Sequence, residues 1–296
     1  MFGSETLEVL IGLITIYLVF GIACTAIVEA VAGLLGLRSG NLEKALKELF
    51  AGNLAQATSF VTAFYAHPLV QALSKGDNGR PSYIPSNIVG QVVDALVTAN
   101  GTAASLSAAI DAMPGTPETN RIKGLLTTLV AQARGNVAVF HQLVEAQFDA
   151  AMDRASGWFK RHTQAIAIIA AGLLVGFANM DTVDLAKSLA SNSAARVKMV
   201  EIAEQNVKNA QGAPAQAGAG QALATAESNL QSAGLSLGWS HWPSTEEWPA
   251  KLAGLVISLF AVSLGAPFWF DTLQRFMQVR AAGASPKEAA EEKKKS

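Results

Sequence analysis

Three long apolar runs stand out from an otherwise mixed pattern. The first extends from Leu7 to Leu37 with only Glu8 and Glu29 interrupting it, the second from Gln164 to Met180, and the third from Leu252 to Phe270. About 20 apolar residues carry a helix across bilayer hydrocarbon, so the first run has a turn or two to spare and the second is short. Lipid offers no partner to a free backbone amide or carbonyl, which makes each run a helix. The pattern predicts an all-α chain: a three-span helical membrane protein with a helical cytoplasmic domain and a helical-hairpin periplasmic segment.

Between the runs the apolar positions recur every three or four residues. Phe140, Val144, Phe148, Ala151 and Ala155 form such a stripe, leading straight into the second run. Asn41 is the expected cap of a helix from Leu42, and Pro68 the first residue of another. Ser86 caps a third that ends by Asn100-Gly101, and Thr116-Pro117-Glu118 opens a fourth that runs through Ala133. GDNGRPSYIPS, residues 76–86, reads as a loop. Residues 184–211 read as one long polar helix and 222–234 as its shorter return, with 212–222 a flexible connector.

Charge sets the expected orientation. Lys and Arg gather at one set of span ends: Arg38, Lys44 and Lys47, then Arg154, Lys160 and Arg161, then Arg275, Arg280 and Lys287. The opposite ends carry only Lys187 and Lys251. Positive residues stay cytoplasmic, so residues 1–6 are expected outside, 7–37 as the first span, and 38–162 as the cytoplasmic domain. The second span is 163–180, the periplasmic segment 181–251, and the third span 252–270. Residues 271–296 follow as a cytoplasmic helix and a disordered charged tail. A signal peptide is not expected, because the flank MFGSETLE holds two acids and no base.

Composition agrees with a membrane protein. Of 296 residues, 50% are hydrophobic and 15% charged, with a mean hydropathy of +0.29, whereas a soluble domain carries about 25% charged residues. The net charge of −1 gives no basis for nucleic-acid binding. One cysteine, Cys24, and four histidines exclude an internal disulfide and a Cys-rich zinc site.

Few residues carry chemistry. His141, Glu145 and Asp149 follow at four-residue intervals, a weak candidate for a divalent metal or an acid/base pair, although the series spirals around its helix and also fits the wet side of an amphipathic helix. Glu29 is the ionisable residue well inside the first span, readable as a relay or as a partner for Lys160, Arg161 or Arg275. Trp158, Lys160 and Arg161 at one interface, and Trp239, Trp242 and Trp248 at the other, suit membrane anchoring. Gly172 and Gly176 form a GxxxG pair, and Gly254, Ser258, Ala261 and Gly265 a small-residue stripe, both suited to close helix packing. Pro267 should kink the third span, and Asp271 with Arg275 is spaced for an ion pair. The chain has no P-loop, dinucleotide fingerprint, HExxH or GxSxG motif.

The segments AMDRASGWFKRHTQ (151–164), NMDTVDLAKSLA (179–190) and SLGAPFWFDTLQRF (263–276), with PSYIP (81–85), resemble a family of uncharacterised bacterial integral membrane proteins. The resemblance implies a bacterial inner-membrane location, the N-terminus outside and the C-terminus cytoplasmic as the charges place them, and no assigned activity. The expected function is a non-enzymatic anchor or scaffold, without cofactor, whose cytoplasmic domain binds a protein partner. The alternative is a subunit of an oligomeric channel or transport complex that uses Glu29. Its expected partners are the lipid bilayer, a cytoplasmic protein and copies of itself, with no nucleic acid.

Overall fold

The computed structural model describes residues 4–50, 59–74, 80–98, 105–113, 117–209, 218–235, 238–239 and 242–283. The described residues form helices and turns and no strand. Those of residues 1–31 and 163–296 form one compact unit, and those of 32–162 a second.

The second unit is a helical domain with its own core. It comprises α2 (Leu37–Phe50), α3 (Ser59–Ala66), α4 (Pro68–Gln71), α5 (Ser86–Thr98), α6 (Leu106–Asp111), α7 (Pro117–Ala133) and the first half of α8 (Val137–Ala178). The stripe from Phe140 to Ala155 is buried, as its period requires, and Phe140, Val144 and Phe148 meet Val89, Val93, Ile122 and Leu126. Phe50 packs on Phe60 and Phe64 with ring centroids 5.2 and 6.4 Å apart. α5 and α7 fall where their start signals place them. α2 begins four residues before Asn41, because the chain turns at Gly36 (φ +57°) and Gly40 N–H already donates to Gly36 O. The first long helix therefore ends at Leu34.

The first unit is built around that helix, α1 (Ser4–Leu34). From Ile11 to Cys24 most of α1 is buried, so the most apolar segment of the chain lies inside protein. Ile16, Phe20 and Cys24 pack with Ala171 and Val175 of α8, and Ile11, Ile14 and Leu18 with Val200, Ala203 and Leu273. The polar segment expected as one helix is two, α9 (Thr182–Ser191) and α10 (Ser193–Asn209). Asn192 leaves helical geometry (φ −112°, ψ 100°), and its side chain accepts from Ala195 N–H to start α10. α11 (Ala219–Ser232) follows as the return helix.

The third apolar run is not one straight helix. α12 (Trp248–Ser263) and α13 (Gly265–Gly283) meet at 95°. The break sits at Leu264 and Gly265, which takes φ +78°, and Pro267 follows in the first turn of α13 rather than causing the bend itself. A Cβ at Gly21 would come 3.1 Å from the backbone of Gly265 and Ala266, and Ala266 N–H donates to Thr25 Oγ1. The elbow is thus seated on α1. From there the Trp269 ring packs, tilted by 36°, against Tyr17 with centroids 4.7 Å apart, and Arg280 pairs with Glu204 of α10 at 2.6 Å. Two helices, α1 and α8, are long and apolar enough to cross a membrane, or three spans in all if the bent pair counts as one.

Candidate functional site: a buried polar clasp

α8 ends where Asn179 adopts φ +49° and the chain turns into α9. Asn179 Nδ2 donates to Gly238 O, Gly238 N–H donates to Ala178 O, and Trp239 Nε1 donates to Gly176 O, so residues 238–239 satisfy two of the last α8 carbonyls. Two residues on, Asp181 is the N-cap of α9. Its Oδ1 accepts from Val183 and Asp184 N–H at 2.8 and 3.3 Å.

Asp181 is only 3% exposed, and a buried carboxylate must be neutralised as well as hydrogen-bonded. Lys251 of α12 supplies the charge at 3.4 Å and reaches Asp184 at 3.2 Å, while its ammonium lies 5.8 Å from the Trp239 ring centroid. Gly254, one turn along α12, leaves the space that Asp181 fills: a Cβ there would stand 1.8 Å from Oδ1. Beside this pair, Tyr17 of α1, Thr182 of α9 and Ser258 of α12 form a hydroxyl chain with both links at 2.7 Å. The cluster ties three helices together. The carboxylate is engaged by backbone N–H groups and Lys251, and the three hydroxyls by one another.

A second clasp, centred on the buried Arg196, joins α10 to the more exposed start of α1. Arg196 donates through Nη1 to Leu189 O and Ala190 O at 2.9 and 2.8 Å, closing the end of α9, and stands 3.6 and 3.7 Å from Glu5 and Glu8.

In the other unit, His141 Nε2 lies 3.0 Å from Asp94 Oδ2 of α5, and the Glu145 carboxylate borders Gly90 one turn earlier. Asp149 is exposed. Among the described residues no three His, Cys, Asp or Glu side chains gather into a metal-binding group. Nearby, Glu43 pairs with Lys47 and with Arg80, whose guanidinium lies 5.5 Å from the Tyr65 ring centroid. Burial first, and Glu43 second, push the Tyr65 phenol above its ordinary range, with Arg80 opposing.

The remaining sequence candidates are scattered. Glu29 is exposed near the end of α1. A Cβ at Gly172 would lie 3.3 Å from Leu259 of α12, whereas nothing lies within 4 Å of one at Gly176. Ser258 and Ala261 are buried on α12, and Gly265 forms the elbow. Trp239, Trp242 and Trp248 are neighbours, with centroids 5.1 and 6.2 Å apart along the series. Trp158 is half-buried, and Lys160 and Arg161 are exposed. Asp271 and Arg275 are both exposed on α13, where the ion pair formed is Arg280 with Glu204. His241, Lys287 and the tail lie outside the described residues, as does most of the connector 212–222.

Sequence reasoning missed Tyr17, Asp181, Thr182, Arg196 and Asp94 as site residues. NMDT did mark the second and third of these, and Lys251 entered only as a flanking charge. Comparison with protein-family models, with curated proteins and with solved structures gives no match to the chain.

Proposed function

We propose that the chain is a non-enzymatic membrane anchor whose cytoplasmic domain, residues 38–162, holds a protein partner. The observation that carries this reading is where the apolar surface lies. Ile168, Ile169, Leu173 and Phe177 of α8, and Leu252, Val256, Ile257, Phe260 and Leu264 of α12, are all exposed, Phe177 at 80%. Apolar rows of this size outside a packed core suit lipid. Residues 32–162, in contrast, keep their large apolar side chains mostly in a core of their own. A bacterial inner membrane belongs to the same proposal and rests on the resemblance.

The contacts along α13 favour a refined topology. Ala266 meets Thr25, Trp269 meets Tyr17, and Leu273 shares a cluster with Ile11, Ile14 and Leu18, so α13 runs back towards the start of α1. We read α12 and α13 as a re-entrant hairpin that leaves the tail on the same face as residues 181–251. The positive-inside expectation places that tail on the opposite face. Single cysteines at Ala215 and Ser296, in a Cys24→Ser background, test this in sealed vesicles with a membrane-impermeant maleimide. Labelling from the same side supports the hairpin; labelling from opposite sides restores a third crossing.

The anchor itself is tested by crosslinking in native membranes, gentle detergent extraction, and mass spectrometry of the complex. A stoichiometric protein crosslinked to residues 38–162 is the expected result. An uncomplexed chain, or a large homo-oligomer with nothing attached, would overturn it.

A further inference from the structure

The elbow between α1 and α2 combines two features that water alone does not favour. Leu34 and Leu35 are 87% and 65% exposed, the first being the most exposed large apolar side chain among the described residues. Fully burying a leucine is worth about 1.5–3 kcal/mol, so an adjacent exposed pair marks a surface that something covers. Gly36, in the left-handed region, turns the chain immediately after them, so the pair stands at a corner rather than on a packed helix face.

The neighbourhood is basic. Arg38, the second residue of α2, lies with its guanidinium 6.0 Å from the Phe159 ring centroid of α8. Phe159 is followed by Lys160 and Arg161, both exposed, and Arg154 is exposed less than two turns earlier. The acids that flank these segments are Glu29, Glu43 and Asp153, of which Glu43 is engaged by Lys47 and Arg80. Two exposed leucines followed closely by Arg38, whose guanidinium lies against the Phe159 ring of α8, match the two halves of an anionic lipid: acyl chain and phosphate. Arg38 is held by its ring contact, which lessens the ordering needed to form a phosphate contact.

We propose that this elbow binds an anionic phospholipid, with Leu34 and Leu35 against the acyl chains and Arg38 at the phosphate, the exposed Arg161 adding to the positive charge of the surface. The proposal rests on the membrane reading and adds a lipid class to it. The test uses the purified full chain in a mild nonionic detergent, with phosphatidylglycerol or phosphatidylcholine added, read by native mass spectrometry. Retention of phosphatidylglycerol over phosphatidylcholine is expected. Arg38→Gln and Arg161→Gln should each reduce it about fivefold, and the pair about 25-fold. Leu34→Asn should weaken both lipids.

Equal retention of the two lipids, an unchanged double variant, or displacement of the lipid by inorganic phosphate would overturn the proposal. Unaltered helical circular dichroism separates loss of binding from loss of fold. Failure of the membrane reading gives a different result, since the wild-type chain would then leave the membrane fraction under alkaline carbonate.

Discussion

Replacing Gly254 by alanine tests the clasp most directly. The added methyl would lie 1.8 Å from Asp181 Oδ1 and 2.5 Å from its Cγ, so Asp181 must swing away. It would lose its cap on α9, worth about 1 kcal/mol. It would also leave Lys251 with only the exposed Asp184, a disruption of a largely buried pair worth about 2 kcal/mol after the remaining partner is allowed for. Alanine returns about 1 kcal/mol through helix propensity. The net loss is about 2 kcal/mol, or roughly 4–8 °C in the thermal midpoint of the detergent-solubilised chain. The decisive measurement is the cycle with Asp181→Ala. Without the carboxylate, Gly254→Ala should be neutral or stabilising, whereas an equal loss in both backgrounds refutes the argument. Gly176→Ala is the control: nothing lies within 4 Å of its Cβ, so the midpoint should hold or rise.

Other expectations follow from the same geometry. Ser258→Ala and Tyr17→Phe should each cost about 1 kcal/mol in thermal denaturation, with less than additive loss when combined, because both break the one hydroxyl chain through Thr182. Gly265→Ala should cost about 1–2 kcal/mol from its positive φ, and an unchanged midpoint would mean the elbow is not fixed as described. Tyr65 has a folded-state pKa above the unfolded value of 10.0, so above that pH the unfolded chain binds fewer protons and stability falls. Tyr65→Phe should reduce that alkaline loss in pH-dependent melting, and an identical profile would remove Tyr65 as its cause. Elemental analysis of the purified chain should show no stoichiometric metal; one equivalent that disappears in His141→Ala would reinstate the metal reading.

What the sequence made legible is local. The stripe from Phe140 to Ala155 and the starts of α5 and α7 depend on spacing and on residues one turn apart, and all lie where those rules put them. The clasp was illegible for the converse reason. Tyr17 and Thr182 are 165 residues apart, and Thr182 and Ser258 are 76 apart, so no window of sequence contains the contact. A hydroxyl within an apolar run also has no periodicity to betray its partner. Asp94 escaped notice because the His141 series was judged along its own helix, while its partner came from α5. The bend was anticipated at Pro267, yet proline in a first helical turn is tolerated, and the freedom of Gly265 is what the turn uses.

The enclosure of α1 has a consequence in time. Thr25 waits for Ala266, 241 residues later, to complete its contact at the elbow. At synthesis rates of about 5–20 residues per second, that interval is roughly 10 to 50 s. During it the most apolar helix of the chain is already made, while the elbow that completes its cover is not. In a membrane, lipid serves as the temporary partner, and α1 then exchanges lipid for protein as α9 to α13 arrive. A nascent chain halted before Gly265 therefore displays, at Gly21 and Thr25, an α1 surface that the finished protein conceals.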